Sequence, residues 1–135
     1  MKPLIVLADG SAQARRMGSL YLEDFGYEVA AVESAGEVLN ALLGPRPRAI
    51  LAAATLPDMS GAELCRQVKA RPDWRDIPFL LLLGALAPAE PGPEILGQAD
   101  GALRKPLSSA GLQQFLQPTP AEMLRLAVAE AARRA

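Results

Sequence analysis

The chain has no histidine and only one cysteine among its 135 residues. It therefore lacks the side chain that most often performs acid–base catalysis at neutral pH and most often binds zinc. The single cysteine, Cys65, excludes a disulfide within the chain and is typical of a reducing compartment. We expect a cytoplasmic protein in which Cys65 is a small hydrophobic core residue rather than a redox sensor.

Aromatic residues and net charge are also scarce. Hydrophobic residues make up 50% of the chain but aromatic residues only 4%, so the core of this single domain must be aliphatic. The 14 Lys and Arg residues nearly balance the 15 Asp and Glu residues, which gives a net charge of −1. The longest apolar run near the middle, residues 79–83, is too short to span a bilayer. We therefore expect neither a nucleic-acid nor a membrane partner.

Short apolar runs alternate with helical patterns along the chain. The runs predict five strands, at residues 4–8, 27–32, 48–53, 79–83 and 101–104. Helices are predicted between Ser11 and Gly26, at residues 35–43 and at residues 61–70, with a short or irregular fourth helix near residues 94–98 because prolines surround it. This alternation predicts an α/β fold with a parallel sheet.

The first helix has apolar residues at helical spacing, which predicts one buried face. They are Ala14, Met17, Gly18, Tyr21, Leu22 and Phe25.

The end of the chain predicts two more helices. Residues 108–117 have Leu112, Phe115 and Leu116 on one side, and a capping box at residues 119–122 begins a helix that runs to Arg134. We expect a domain over residues 1–117 and a C-terminal helical extension over residues 118–135. The extension either packs on its own domain or pairs with a second copy as a homodimer.

The segment from residue 48 to residue 61 reads as a buried strand that runs into a loop and a helix start. In an open α/β sheet, ligands bind where such strands end. Here the strand ends in Ala52, Ala53 and Ala54, three methyl groups where a catalytic site needs a charged or polar atom.

Four short motifs in order resemble the receiver domain of bacterial response regulators over residues 3–117. They are Asp9 after the first strand, Leu-Pro-Asp-Met-Ser-Gly at 56–61, Asp-Ile-Pro at 76–78 and Lys-Pro at 105–106. The resemblance implies a flavodoxin-like doubly wound sheet of five parallel strands in the order 2-1-3-4-5, and a role in two-component signal transduction.

The resemblance also implies where a phosphorylation site would lie. By position it places the metal-binding acid pair at Ala8 and Asp9, the phosphoryl acceptor at Ala53, the reporting hydroxyl at Leu83, the aromatic switch at Ala102 and the lysine that pairs with the phosphoryl group at Lys105. A methyl group cannot attack a phosphoryl group, and Mg²⁺ requires oxygen ligands. We therefore interpret the chain as a pseudo-receiver without catalytic residues, metal or cofactor: a phosphorylation-independent protein–protein interaction module.

Several alternatives stay open at this point. A cyclic dinucleotide is a second ligand hypothesis, with Arg104 and either Arg66 or Arg71 as contacts. An atypical phosphoreceiver is a third, with Thr55 or Asp58 as acceptor. Further choices concern single residues. Lys105 either pairs with Asp9 or contacts a ligand, and Trp74 either anchors a protein partner or covers the loop before the fourth strand.

Overall fold

A computed structural model of the chain describes residues 2–84, 87–105, 107, 128, 131 and 132. Five strands form one parallel sheet in the order β2-β1-β3-β4-β5, which confirms the predicted fold. The strands are β1 (Leu4–Ala8), β2 (Glu28–Val32), β3 (Ala49–Ala53), β4 (Phe79–Leu83) and β5 (Gly101–Arg104). The helices are α1 (Ala12–Asp24), α2 (Ala35–Ala41), α3 (Gly61–Lys69) and α4 (Pro93–Leu96).

The helices begin where the sequence provides capping side chains. The hydroxyl of Ser11 accepts a hydrogen bond from the N–H of Ala14, and that of Ser60 accepts one from the N–H of Glu63. Ser34 and Glu37 form a reciprocal capping box at the start of α2. After α1, Gly26 adopts φ of 98°, a conformation that favours glycine, and this residue ends the helix as predicted.

Hydrophobic residues pack on both faces of the sheet. All residues of β3 and β4 are buried, as the continuous apolar runs predict for strands covered on both sides. α2 and α3 pack on one face, with Val38, Leu64 and Val68 fully buried, and α1 packs on the other with Leu22. The core is therefore aliphatic, in line with the composition.

The prediction of a single buried apolar face on α1 is wrong at Met17, which is 61% exposed. Gly18 and Leu22 are the buried residues of this helix. A Cβ at Gly18 would lie 2.9 Å from Cδ2 of Leu7, so the helix approaches β1 closely at this glycine. Because Gly18 is the point of closest approach, Met17 lies at the edge of the contact between α1 and β1. Leu20 is 59% exposed as well.

Two other helices differ in detail from expectation. α2 ends at Ala41 rather than residue 43, because the chain turns before Gly44 and Pro45. α4 is a four-residue helix with a proline at its start, as the surrounding prolines predict. No helix in the described part of the chain is long and apolar enough to cross a membrane.

The predicted helices at 108–117 and 118–135 lie outside the described residues, except that Val128, Ala131 and Ala132 are helical. The domain division at residue 117 and pairing through the C-terminal helix stay predictions.

Candidate functional site

The carboxyl ends of four strands bring most of the predicted site residues together. Asp9 follows β1, Ala53 ends β3, and Leu83 ends β4. The N–H of Lys105 donates to the carbonyl of Leu83 at 3.0 Å, which places the lysine beside this edge. Ala102 lies farther back along β5, opposite Leu81, and packs against the core cluster under α3. The first four residues therefore lie at the carboxyl edge of the sheet, and Ala102 does not.

Asp9 and Lys105 form an ion pair with 2.6 Å between Oδ2 and Nζ. The Asp9 side chain is 7% exposed and the Lys105 side chain 33% exposed, so the carboxylate is the buried partner. Oδ1 of Asp9 accepts a second hydrogen bond, from the N–H of Ser11 at 3.0 Å. Both carboxylate oxygens therefore have donors from this chain, and Lys105 pairs with Asp9 rather than standing apart from it.

The end of β3 carries methyl groups and backbone atoms where the resemblance places an acceptor. Ala53 is 4% exposed and Leu83 3% exposed, and neither carries a polar side-chain atom. The carbonyl oxygen of Ala53 lies 2.5 Å from where a Cβ of Gly61 would stand, so the start of α3 is pressed against the end of the strand. The N–H of Gly61 donates to the carbonyl of Ala54 at 2.9 Å. Neither Ala53 nor Leu83 provides a nucleophilic side chain at this edge.

The residues at this edge do not fit a magnesium ion. Mg²⁺ requires near-octahedral oxygen coordination, usually with one or two carboxylates. Asp9 is the one carboxylate among the six positions that the resemblance marks, and its two oxygens already accept from Lys105 and Ser11. Among the described residues no group of three or more acidic, cysteine or histidine side chains is placed to hold a metal.

The Asp58 carboxylate, which the sequence offered as a substitute acceptor, caps a neighbouring helix. Its two carboxylate oxygens accept hydrogen bonds from the N–H groups of Ala35 and Gly36, both at 2.9 Å. These backbone hydrogen bonds, with that from Ala35 the larger contribution, lower the pKa of Asp58 below its usual 3.8. Thr55 is exposed and pairs with Ser60 in an isolated bridge. Asp58 thus joins the β3–α3 loop to α2.

Arg104 is bound to the loop after β4. Its Nη1 donates to the carbonyls of Ala87 at 3.1 Å and Gly84 at 3.4 Å, and its Nη2 donates to the carbonyl of Pro88. These contacts span 16 to 20 residues of sequence and tie the edge strand β5 to the segment that leads into α4. The guanidinium of Arg104 therefore acts as a clamp on this loop.

The other two arginines named as ligand contacts also have partners within the chain. Arg66 forms an ion pair with Glu63 at 2.5 Å, and the hydrogen bonds from Arg66 and then Gln67 lower the pKa of Glu63 to about 2. The guanidinium of Arg71 lies 4.3 Å from the centre of the Trp74 ring. Trp74 is half-buried against the core cluster. The structure does not bring Arg66, Arg71 and Arg104 together.

The sequence profile of the response regulator receiver domain matches residues 5–117. The chain belongs to the response regulator receiver domain family. Receiver domains are signalling modules of two-component systems, and the fold and the order of motifs described above are those of this family. The match includes Asp9, Ala53 and Lys105.

Three relatives illustrate the range of the similarity. The response regulator MprA of Mycolicibacterium vanbaalenii is 28% identical over 104 residues, which are 77% of this chain and 44% of MprA. The chemotaxis response regulator CheY4 of Vibrio cholerae is 28% identical with a TM-score of 0.70 over 87% of this chain and 98% of CheY4. The receiver domain of sensor histidine kinase PA1611 from Pseudomonas aeruginosa is 25% identical with a TM-score of 0.75, covering 87% of this chain and 96% of that one.

Two facts about these relatives matter for the present chain. The PA1611 receiver holds a magnesium ion coordinated in its active-site cleft. The present chain spans less than half the length of the curated relatives that it matches.

Sequence reasoning missed three structural contacts around the site. It did not predict that Arg104 binds the β4–α4 loop, or that Asp58 caps α2. It also did not predict that Lys69 donates at 2.8 Å to Asp100, which in turn accepts from the N–H of Phe79. Each contact joins residues at least 16 positions apart, and no local pattern signals such a pair. Asp58 had a partial signal, because an aspartate after Leu-Pro favours a hydrogen-bonded turn.

Proposed function

We propose that this protein is a pseudo-receiver, which works in a bacterial two-component pathway by binding a protein partner without being phosphorylated. The observation that carries the proposal is the end of β3, where Ala53 occupies the position that the family uses for its phosphoryl acceptor. Phosphoryl transfer to a receiver requires a carboxylate nucleophile, and a methyl group provides none. On this proposal the protein is not an enzyme, and it acts in the cytoplasm.

The ion pair between Asp9 and Lys105 supports the proposal because it occupies the carboxylate that would otherwise bind Mg²⁺. In the proposed state Lys105 neutralises the carboxylate that a working site would give to Mg²⁺. The pair has a separation of 2.6 Å and a largely buried acid, which makes it a stable replacement for a metal contact. Ala8 provides no second carboxylate.

The residues near β5 also support the proposal, because they lack the side chains that would respond to a phosphoryl group. Leu83 has no hydroxyl to bond a phosphoryl oxygen, and Ala102 has no ring to change position. Arg104 instead holds the β4–α4 loop through three carbonyls. We propose that this clamp keeps the loop in one conformation, so that the face formed by α4 and β5 is ready for a protein partner at all times. Trp74, half-buried under Arg71, is a second candidate contact with that partner.

Beryllofluoride, which mimics a phosphoryl group on a receiver aspartate, tests this proposal directly. We expect that beryllofluoride with Mg²⁺ leaves the amide NMR spectrum of the protein unchanged. The matched variant combines Ala8→Asp, Ala53→Asp and Leu83→Thr, which restores oxygen atoms at three positions and should respond. The PA1611 receiver domain serves as the reagent control if that variant does not fold. Shifts in the unaltered protein at residues around Asp9 and Ala53 would refute the proposal.

A further inference from the structure

α1 presents two large hydrophobic side chains to solvent on one side. Met17 is 61% and Leu20 59% exposed, and residues three apart on a helix are surface neighbours. Single exposed hydrophobic residues are normal on a soluble domain. Such a pair therefore indicates an interaction surface only when other observations agree.

A cavity of about 470 Å³ opens beside Met17 and provides the first support. Hydrophobic side chains form most of its wall, and the Asp9–Lys105 pair lies at one end. Among the described residues, the hydrophobic ones in the wall are Leu7, Ala14, Met17, Tyr21, Leu82 and Leu107. This volume is large enough to receive a side chain from another molecule. The exposed pair of Met17 and Leu20 thus lies next to a hydrophobic cavity on the same surface.

The charge order along α1 provides the second support. Arg16 lies in the first half of the helix and Glu23 in its last turn, while the first turn has no acid and the last turn no base. This order is the reverse of what the helix dipole favours. The charges consequently do little for the isolated helix. They are complementary, however, to a second α1 that runs in the opposite direction.

We propose that α1 and the adjoining cavity form the interface of a homodimer, with α1 of the second copy packed antiparallel. In this arrangement Met17 packs on Leu20 of the second copy and partly fills the cavity, and Arg16 pairs with Glu23 of the second copy. The sequence midpoint between Met17 and Leu20 lies one residue before the midpoint between Arg16 and Glu23. One residue corresponds to about 1.5 Å along the helix, so a single antiparallel alignment of the two helices allows both pairs to form. Every contact occurs twice about a two-fold axis, as in an isologous dimer.

The interface is small, so the dimer is weak. One helix face and a few neighbouring side chains correspond to the low end of specific interfaces, and we expect a dissociation constant on the order of 10–100 μM. This inference goes beyond the proposed function and does not depend on it, since partner binding through the α4–β5 face leaves α1 available.

Sedimentation equilibrium of the full chain between low and high micromolar concentration is the test. The unaltered protein should move from a 14.3 kDa monomer toward twice that mass as concentration rises. Leu20→Glu should raise the dissociation constant by at least about tenfold, because it places a charge in the hydrophobic centre. Leu43→Glu is the control, since Leu43 is 73% exposed but lies outside α1, and it should leave the dissociation constant unchanged.

A charge exchange identifies the antiparallel register. Arg16→Glu and Glu23→Arg alone should each weaken the dimer about three- to tenfold, and the double variant should restore it. A protein that stays monomeric throughout overturns the proposal. So does a dimer that Leu20→Glu leaves intact, which would place the interface elsewhere, for example in the C-terminal residues. A double variant as weak as the single ones would also contradict the proposed arrangement.

Discussion

At the scale of single residues, the ion pair of Asp9 and Lys105 is one of the two roles that the sequence left open for Lys105. The two motifs that carry these residues are local, and the topology of a parallel sheet brings the ends of β1 and β5 to the same edge. The Arg104 clamp and the Asp58 cap were not foreseeable in this way. Each depends on side-chain directions and loop shapes that no short motif specifies.

Lys105→Met tests whether the ion pair is structural. The substitution leaves the Asp9 carboxylate buried with one remaining donor, the N–H of Ser11. We expect a loss of about 1–3 kcal/mol in the free energy of unfolding, between the values for exposed and fully buried pairs, because Lys105 is one-third exposed. Urea denaturation measures this loss, and adding Asp9→Asn should recover part of it. A loss of partner binding with unchanged stability would instead make Lys105 a ligand contact.

Asp58→Ala tests the cap on α2 through its pH dependence. The folded protein lowers the pKa of Asp58 from 3.8, so the carboxylate stabilises the fold above that pH and stops doing so as the pH falls through the folded pKa. The variant should therefore unfold at lower urea than the unaltered protein at pH 7. The difference between the two should shrink as the pH falls below 3.8. A difference that is equal at pH 7 and pH 3 would exclude this ionic cap.

At the scale of elements, the strands were predictable and the helix details less so. β1, β4 and β5 have the predicted bounds, because buried strands give continuous apolar runs with clear ends. The exposed position of Met17 was not predictable from periodicity. It results from the close approach of α1 to β1 at Gly18, a packing detail that becomes apparent only once the sheet is assembled.

Gly61→Ala tests how tightly α3 is pressed on the end of β3. A Cβ at this position would lie 2.5 Å from the carbonyl oxygen of Ala53 and 2.6 Å from Cδ2 of Leu81. The helix start must move away, which should cost about 1–3 kcal/mol in unfolding free energy. Gly84→Ala is the matched control, since its φ is not positive and, among the described residues other than its chain neighbours, no atom lies within 4 Å of its added Cβ. Equal urea midpoints for the two variants would show that the start of α3 can move away from β3 at little cost, which would contradict the tight contact.

At the scale of the whole molecule, the fold is that of a receiver domain, but the residues at the carboxyl edge of the sheet differ from those of a phosphorylation site. The topology is that of a phosphorylated signalling domain, while the edge that performs the chemistry has methyl groups, an internal ion pair and a clamped loop. The proposed function accounts for this contrast, since on that proposal the domain keeps the receiver fold as a binding scaffold. The order of elements and the alanine and leucine positions could be predicted from the sequence, because the motifs are local, whereas the clamped loop could not.

Incubation with acetyl phosphate and Mg²⁺, followed by intact-mass spectrometry under conditions that preserve acyl phosphates, tests the central claim most directly. The PA1611 receiver domain, which holds magnesium in its active-site cleft, serves as the positive control. The account predicts that this protein remains unmodified under conditions that label the control. A stoichiometric phosphoryl group on any residue, Asp9 and Asp58 included, would contradict it.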